Sequence, residues 1–307
     1  MRVAVVGVGH LGQHHARIYA AMEGVELVAV ADTNAGRAAE VAAKYGTRAV
    51  DAGELPGLVD AVSIAVPTSA HVDAAMPFLE RRTAVLVEKP LAPTVADADR
   101  LLEAAGRHGA VLAAGHTERF NPAVEAARPL ITDPRFIEVH RLGTFPERSL
   151  DIDVIFDLMI HDLDLLLALV RSDVVAVEAV GVNVLTPRTD IANARIRFAS
   201  GCIANLTASR ISRDRVRKIR FFQHNTYVSV DYAAREVEVY KLVARDGGRP
   251  AIEGGRLPVR DEEPLRRELA DFVEAARTGR APGVTGREGR DALALASRVA
   301  EKMAEQA

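Results

Sequence analysis

The chain has 307 residues, of which 49% are hydrophobic, and this length suggests two domains with substantial cores. Its net charge of −3 and pI near 6.3 give no general attraction to nucleic acid or to an anionic membrane. The single cysteine, Cys202, excludes an internal disulfide, and no apolar run approaches the ~20 residues of a membrane helix. With no signal peptide before the first predicted strand, we expect a cytoplasmic protein.

The N-terminus carries a dinucleotide-binding fingerprint. Residues 3–6 are apolar and rich in β-branched side chains, which predicts a buried parallel strand. Three glycines follow at once, and they allow a tight turn, close approach of the backbone to a pyrophosphate, and close packing of a helix expected over about residues 11–22. Because the first N–H groups of this helix can bind an anion, we expect the cofactor to contact Gly7, Gly9, His10, Leu11 and Gly12.

Asp32 ends a second apolar run, residues 25–31. It comes about 25 residues after Gly7, near the spacing of a carboxylate that binds the adenosine ribose. Such a carboxylate accepts from both ribose hydroxyls and repels a 2′-phosphate, and no arginine follows it immediately. The sequence therefore predicts NAD in preference to NADP. The alternative for the glycine loop is a tight turn without a ligand.

Strands and helices alternate up to about residue 120. Further strands are predicted over residues 61–66, 83–88 and 110–114, with helices between them. This βαβ order predicts an α/β fold with a doubly wound parallel sheet, in which ligands bind at the carboxyl ends of the strands. The residues near those ends that we expect to contact the cofactor are Pro67, Thr68, His71, Glu88, Lys89 and Pro90.

Beyond residue 120 the pattern changes to successive strands with short turns. They are predicted over residues 136–142, 174–185, 191–199, 201–210, 216–223, 227–231 and 236–242. This indicates a second, α+β domain with a mostly antiparallel sheet. Helices are predicted over residues 123–130, 153–170, 264–277 and 286–305, and a surface loop or hairpin over residues 246–259. The expected domains are residues 1–120 and 121–285, with the final helix, residues 286–307, packing back on the first.

The helix predicted over residues 153–170 is apolar almost all round, but Asp157, His161 and Asp164 interrupt it at positions i, i+4 and i+7. Ionisable groups in a buried helix need partners or a chemical purpose. One interpretation is a structural network in which the histidine bonds an acid. The other is catalysis, in which His161 takes a hydroxyl proton near neutral pH and Asp157 orients its ring.

Lys89 lies between Glu88 and Pro90 at the end of a predicted strand. Near an oxidised nicotinamide, its ammonium would donate to the substrate oxygen and stabilise a developing alkoxide. Glu88 would fix the lysine or contact the cofactor, and Pro90 would direct the lysine into the crevice through a cis bond. The alternative is a loop lysine that binds a phosphate or nothing.

At these residues the chain resembles the glucose–fructose oxidoreductase/inositol dehydrogenase family, Gfo/Idh/MocA, over essentially its whole length. The matching segments are the glycine fingerprint, the turn that ends at His71, Glu88-Lys89-Pro90, Arg119-Phe-Asn-Pro122 and Asp157-x-x-x-His161. The resemblance implies an N-terminal Rossmann domain, a second domain with an open-faced sheet, and NAD(P)-dependent oxidation or reduction of a sugar or cyclitol hydroxyl. It also implies that Lys89, Asp157 and His161 act at the reacting carbon, and that the second sheet forms a homodimer or homotetramer.

Residues 115–122 and 157–164 resemble, more narrowly, a bacterial subgroup that includes UDP-N-acetylglucosamine 3-dehydrogenases. This resemblance implies a sugar-nucleotide substrate and a 3-keto product. The residues that we expect to contact the substrate are Arg119, Asn121, Arg141 and Arg148. The arginines of the loop over residues 140–153 would meet the diphosphate, and the alternative is an ordinary charged loop.

Two other functions remain open at this point: a dehydrogenase of a free sugar or inositol, and an NAD-binding sensor without turnover. The intact set of Lys89, Asp157 and His161 argues against the sensor. No metal is expected, because nothing in the sequence supplies a carboxylate or thiolate beside the histidines near the glycine loop. No nucleic-acid partner is expected either, since the arginines over residues 213–217 lack interleaved aromatic residues.

Overall fold

Two β-sheets organise the chain in a computed structural model that describes residues 1–145, 152–245 and 249–305. The chain divides into two compact units. The first comprises residues 1–117 and 263–293, and the second comprises residues 118–262 and the chain from residue 294 onwards. The expected boundary near residue 120 is close to this division. Residues 263–285, which we expected in the second domain, instead belong to the first unit.

The first sheet is parallel and has six strands. They are β1 (Arg2–Val6), β2 (Glu26–Ala31), β3 (Arg48–Ala49), β4 (Ala61–Ile64), β5 (Ala84–Glu88) and β6 (Leu112–Gly115). Their order in the sheet is β3-β2-β1-β4-β5-β6, so the direction of winding reverses between β1 and β4. This confirms the predicted doubly wound sheet, and a ligand is expected at the carboxyl ends of the strands beside that reversal.

The described chain also contains α-helices in both units. They are α1 (Gly12–Ala20), α2 (Ala35–Tyr45), α3 (His71–Leu79), α4 (Val95–His108), α5 (Pro122–Ala127), α6 (Ile160–Val170), α7 (Pro264–Thr278) and α8 (Gly286–Ala304). Side chains of Asn34 and Thr94 accept N–H groups at the starts of α2 and α4, and Gly46 and Gly109 end these helices in the left-handed region. None of the helices in the described ranges is long and apolar enough to cross a bilayer.

Helix α7 belongs to the first unit because its apolar face completes the core beneath the parallel sheet. Leu269, Phe272 and Val273 are buried in the same cluster as Val3 and Val5 of β1. The start of α8 returns to the same sheet. Thr285, just before α8, pairs with Ala113, and a Cβ on Gly289 would lie only 2.4 Å from the Cβ of Ala114. Burial of one amphipathic face therefore decides the unit to which this late segment belongs.

The second sheet has eight strands. They are β7 (Pro134–Leu142), β8 (Val174–Val182), β9 (Ile191–Phe198), β10 (Ile203–Ser209), β11 (Val216–Gln223), β12 (Thr226–Asp231), β13 (Glu236–Val243) and β14 (Ala251–Leu257). They lie in the order β14-β13-β12-β11-β7-β10-β9-β8. Neighbours are antiparallel except β7 and β10, which are parallel, so the predicted mostly antiparallel sheet is confirmed. The segment expected to be a loop or hairpin supplies β14, which pairs with β13.

One face of this sheet is buried and the other is open. In β9, Ala192, Ala194 and Ile196 are buried, whereas the alternate residues Arg195 and Arg197 are exposed. Helix α5 and the helical segment ahead of α6 contact the buried side. The open side is the feature that the family resemblance implied.

Candidate active site

The glycine loop has the geometry that a dinucleotide requires. Gly7 has φ +84°, and a Cβ there would lie 2.6 Å from the carbonyl oxygen of Ala65. A Cβ on Gly12 would lie 1.7 Å from the Gly7 oxygen. Gly9 differs, since an added Cβ would meet no described atom within 4 Å. Internal packing explains the first and third glycines, and the open space beside Gly9 fits the close approach of a pyrophosphate.

Helix α1 begins next to this loop without the usual cap. Leu11 precedes it, and no side chain in the described chain caps its first turn, which also contains no acidic residue. His10 and Leu11 are both exposed at this end. Backbone N–H groups at such a helix start can satisfy an anion, so the arrangement fits the pyrophosphate of NAD.

Asp32 lies at the end of β2 and faces the glycine loop. Its Oδ2 accepts the N–H of Val8 at 2.8 Å, and its Oδ1 accepts the N–H of Asn34 at 2.9 Å. Each carboxylate oxygen has a further lone pair for a ribose hydroxyl. The carboxylate is therefore held in place beside the glycine loop, and its contact with a ribose stays a prediction.

Arg37 is a residue that the sequence analysis missed. Its Nε donates to the Val8 carbonyl at 3.0 Å, and its Nη2 donates to Gln13 Oε1 at 2.9 Å. Since Val8 also donates to Asp32, an arginine does lie beside the predicted ribose carboxylate. The sequence shows a basic residue five positions after Asp32. The fold places that residue in the first turn of α2, where its side chain contacts the glycine loop.

His71 joins two of the strand ends that we expected to contact cofactor. Its Nδ1 is 3.0 Å from the Pro90 carbonyl oxygen, and its Nε2 is 3.0 Å from that of Val66. Burial lowers the pKa of His71, and the carbonyls offset this effect only in part. The neutral imidazole has one N–H, so it donates to one of these two carbonyls and packs against the other, between the end of β4 and the turn after β5. Pro67 is exposed and Thr68 is half-buried beside them.

Glu88 is the last residue of β5, and Lys89 and Pro90 follow it in the turn. The Lys89–Pro90 peptide bond is cis, as predicted. Glu88 is buried, and its Oε1 lies 3.0 Å from Nε2 of His15 on α1. Burial acts to raise the pKa of the Glu88 carboxyl, but the hydrogen bond from His15 and attraction to His15 and Lys89 outweigh it and hold that pKa below its usual value. The sequence analysis placed no carboxylate beside the histidines of this region, and that was wrong for His15.

In the second unit, Asp157 and His161 lie on a helix that is partly of π type. Residues Ile155–Met159 form a π-helical segment that continues into α6. Asp157 and His161 are half-buried, whereas Asp164 is 1% exposed. The three residues of the predicted stripe therefore differ in burial. A π-helical turn often marks a functional site.

A strand hairpin fixes the chain that enters the π-helical segment. Asp190 is buried and accepts Nε of Arg210 at 2.8 Å. The same guanidinium donates to the carbonyl oxygen of Ile152, and Thr189 donates its N–H to Asp153 Oδ1 at 2.9 Å. These contacts anchor the start of the helix that carries Asp157 and His161.

Arg141, an expected diphosphate contact, is committed to a buried ion pair. Its Nε and Nη2 lie 2.7 and 2.9 Å from the two oxygens of Asp162, and its Nη1 lies 3.2 Å from Glu118. Burial lowers the pKa of Arg141, but attraction to both carboxylates more than offsets this. The side chain is 3% exposed. Its Nε, Nη1 and Nη2 are thus directed at protein carboxylates, so these hydrogen bonds give the predicted diphosphate contact no support.

The other expected substrate residues are also accounted for. Asn121 is buried and caps α5, accepting the Ala123 N–H at 3.1 Å and donating to Glu118. Arg119 is buried and lies 3.3 Å from Asp164. The structure thus gives Asn121 a capping role and Arg119 an ion-pair partner, while Arg148 lies outside the described residues. Among the described residues, no cluster of three or more His, Cys, Asp or Glu side chains has the arrangement of a metal site.

Comparison with known proteins agrees with this geometry. Residues 1–116 match the profile of the GFO/IDH/MocA oxidoreductase family with an NAD-binding Rossmann fold, and residues 131–227 match the GFO/IDH/MocA C-terminal domain. The chain is 43% identical to UDP-N-acetylglucosamine 3-dehydrogenase from Acidithiobacillus ferrooxidans, over 97% of this chain and 96% of that protein. A solved structure of that dehydrogenase matches with a TM-score of 0.93 at 41% identity, over 98% of this chain and 97% of the other.

A more distant relative has a different substrate in its name. The chain is 28% identical to inositol 2-dehydrogenase from Rhizobium meliloti, over 100% of this chain and 98% of that protein. Both relatives, the two family profiles and the parallel sheet with its glycine loop point the same way. The chain belongs to the Gfo/Idh/MocA family of NAD-binding oxidoreductases.

Proposed function

We propose that this protein oxidises the 3-hydroxyl of UDP-N-acetylglucosamine to a ketone, with NAD as the hydride acceptor. The observation that carries the proposal is the 43% identity, over nearly the whole of both chains, to a dehydrogenase of that substrate. The inositol 2-dehydrogenase relative, at 28% identity, supports an inositol or a free sugar as the second candidate.

The cofactor would be held by the loop around Gly9, the start of α1 and the Asp32 carboxylate, and it supplies the hydride acceptor when bound. The open space beside Gly9 and the uncapped helix start support this placement of the pyrophosphate. Asp32 supports the choice of NAD, because its charge disfavours a 2′-phosphate.

His161 acts as the general base in this proposal. Its imidazole accepts the proton of the substrate hydroxyl as the hydride leaves the same carbon, so the products are a ketone, NADH and one proton. Asp157, one turn earlier, orients the imidazole and stabilises its protonated form. The half-buried positions of both residues support the assignment, since Asp162 and Asp164 of the same helix are buried beside arginines.

Lys89 acts on the substrate oxygen. Its ammonium donates a hydrogen bond that strengthens as negative charge develops there. Its position directly after β5, at the carboxyl edge of the parallel sheet, supports this role. Two buried residues, His71 and Glu88, fix the turn from which its side chain extends.

The experiment that tests the proposal follows NADH formation from NAD and UDP-N-acetylglucosamine, with an aminotransferase-coupled reaction to remove the ketone. We expect turnover with this substrate and none with myo-inositol or free N-acetylglucosamine. Lys89→Met and His161→Ala should each lower kcat by at least about a hundredfold, while the NADH Kd stays within about threefold. Lys44→Met, an exposed lysine of the same unit, is the matched control.

Each contrary result has a separate meaning. Turnover of inositol alone would replace the proposed substrate with the second candidate. NADH binding without turnover of any sugar or cyclitol would indicate a sensor. Unchanged rates in Lys89→Met or His161→Ala would overturn the role of that residue.

We also propose that the protein forms a homodimer or homotetramer through the open face of the second sheet. Four aromatic side chains cross four adjacent strands on this face, and we call Phe136, Phe222, Tyr227 and Tyr240 the aromatic row. Neighbouring ring centroids are 5.6, 5.3 and 6.3 Å apart. A partly exposed aromatic row is typical of an interface. Since the proposed substrate and NAD are both cytoplasmic metabolites, we propose the cytoplasm as its compartment.

A further inference from the structure

A buried polar pair lies behind the strand end that carries Lys89. His15 of α1 is 0% exposed, and its Nε2 lies 3.0 Å from Oε1 of Glu88, which is 6% exposed. Because a carboxylate can only accept, the ring nitrogen is the donor. The second ring nitrogen, Nδ1, is buried and has no hydrogen-bond partner among the described residues. Among the described residues, Glu88 is therefore the hydrogen-bond partner of the His15 ring.

The second oxygen of Glu88 reaches the lysine. Oε2 accepts the backbone N–H of Lys89 at 3.2 Å. The carboxylate thus connects α1 to the turn after β5. Gly115 of β6 makes room for it, because a Cβ there would lie 3.0 Å from both Cδ and Oε2 of Glu88. Three elements of the first unit are therefore shaped around this one carboxylate.

The fold itself does not need a charge at this place. A buried polar pair contributes little to stability over a well-packed apolar pair, because both groups lose their hydration. A buried carboxylate that has lost its partner is strongly unfavourable. The pair is thus best explained by its effect on the position of Lys89, the residue that follows Glu88.

We propose that His15 is a positioning residue for Lys89: by holding the Glu88 carboxylate in place, it fixes the backbone from which the lysine side chain extends. The inference rests on the role proposed above for Lys89. It predicts that the hydrogen-bond donor at position 15 matters, rather than the volume of the ring.

Other titratable groups face Glu88 and must be considered. Tyr19 of α1, Lys89 itself and His71 of α3 all interact electrostatically with the carboxylate, and Glu268 of α7 acts on Tyr19. Burial raises the pKa of the Tyr19 phenol well above its ordinary value, so the side chain stays neutral near neutral pH. Tyr19 bonds Ser63 at 2.8 Å, and it supplies a matched control on the same helix.

The kinetic test compares three variants. His15→Leu should lower kcat at least about tenfold, because a charge-assisted hydrogen bond is lost, while the NADH Kd changes less than about twofold. His15→Gln restores a donor and should recover kcat to within about threefold of the wild type. Tyr19→Phe removes a buried hydrogen bond that does not touch Glu88 and should leave kcat unchanged. Equal losses in His15→Leu and His15→Gln, or no loss in His15→Leu, would overturn the proposal.

The second test needs no substrate. In the wild type the pKa of Glu88 is held below its unfolded value, so its stabilising effect is present above that unfolded pKa and is lost as pH falls. Without His15, burial should raise the pKa of Glu88, and its ionisation should then destabilise the fold as pH rises. At pH ~8, Glu88→Gln should therefore lower the Tm of the wild type. In the His15→Leu background the same substitution should raise the Tm by about 2–4 °C, and this increase should become smaller toward pH ~5.

The same sign of the Glu88→Gln effect in both backgrounds would overturn the proposal, whatever the kinetics show. The kinetic test and the unfolding test together also distinguish a failure of this inference from a failure of the proposed function. A wild type that does not oxidise UDP-N-acetylglucosamine would overturn the proposed substrate alone, because the unfolding comparison contains neither substrate nor cofactor.

Discussion

At the scale of single residues, the proposed cofactor site depends on a few positions at which a substitution would alter the backbone or the charge. Gly7 and Gly12 are required by the backbone itself, whereas Gly9 is open to a ligand. Asp32 is held by the N–H groups of Val8 and Asn34, so its carboxylate is pre-oriented before any ribose binds. In our proposal, the preference for NAD over NADP depends on the charge of this carboxylate.

Asp32→Ser should change cofactor preference. The substitution removes charge-assisted hydrogen bonds to the ribose, so the NADH Kd should rise at least about tenfold. It also removes the repulsion of a 2′-phosphate while Arg37 stays beside Val8, so the NADPH Kd should change little or fall. Fluorescence titration of both reduced cofactors measures the two constants, with Asp32→Asn as the shape-preserving control. An equal loss for both would remove the ribose argument.

At the scale of elements, ion pairs hold the helix that carries Asp157 and His161 to the second sheet. Arg141 lies on β7 and Asp162 on α6, and both are buried. Arg210 binds Asp190 and the carbonyl of Ile152, so it anchors the approach to the π-helical segment. In the sequence, these residues are polar positions within otherwise apolar segments. The tertiary structure shows which partner each of them has.

Arg141→Met should act first on stability. It leaves the Asp162 carboxylate buried without its bidentate partner, which should lower the free energy of unfolding by roughly 3–5 kcal/mol. The control is Arg256→Met, which removes an exposed cross-strand pair with Glu236 and should cost at most about 1 kcal/mol. Urea unfolding measures both. A near-normal stability together with a raised KM for the sugar nucleotide would instead restore the diphosphate role.

At the scale of the whole molecule, the chain leaves the first unit after residue 117 and returns to it at residue 263. The second unit contributes the helix with Asp157 and His161 and the wide sheet with its open face. Contact with a second copy of the chain would remove the partly exposed aromatic side chains of this face from water, which is favourable. This places the oligomer contact, in our proposal, on the open face of the second sheet.

Tyr240→Arg should weaken the assembly, because it places a charge within the aromatic row. Light scattering after gel filtration should give a dimer or tetramer for the wild type and a lower mass for this variant at the same concentration. Leu58→Arg changes an exposed apolar residue of the first unit and should keep the wild-type mass. A monomeric wild type, or a Tyr240→Arg variant of unchanged mass, would contradict the proposed contact.

The sequence by itself determined the features that depend on local spacing. The glycine loop, the acid after the second strand, the βαβ order and the lysine before a cis proline are all fixed by short-range pattern, and each was predicted. The later strands were predicted from turn residues and apolar alternation, although the parallel pairing of β7 with β10 was not. Local rules suffice there because the constraint lies within one or two elements.

Only the tertiary structure decided which polar residues meet. His15 and Glu88, and Arg141 and Asp162, are far apart in the chain, and no periodicity links them. The π-helical turn at Ile155–Met159 and the return of α7 to the first core were likewise not predicted. The physical reason is the same in each case: a buried charge must find its partner, and an apolar face its core, wherever the fold provides one.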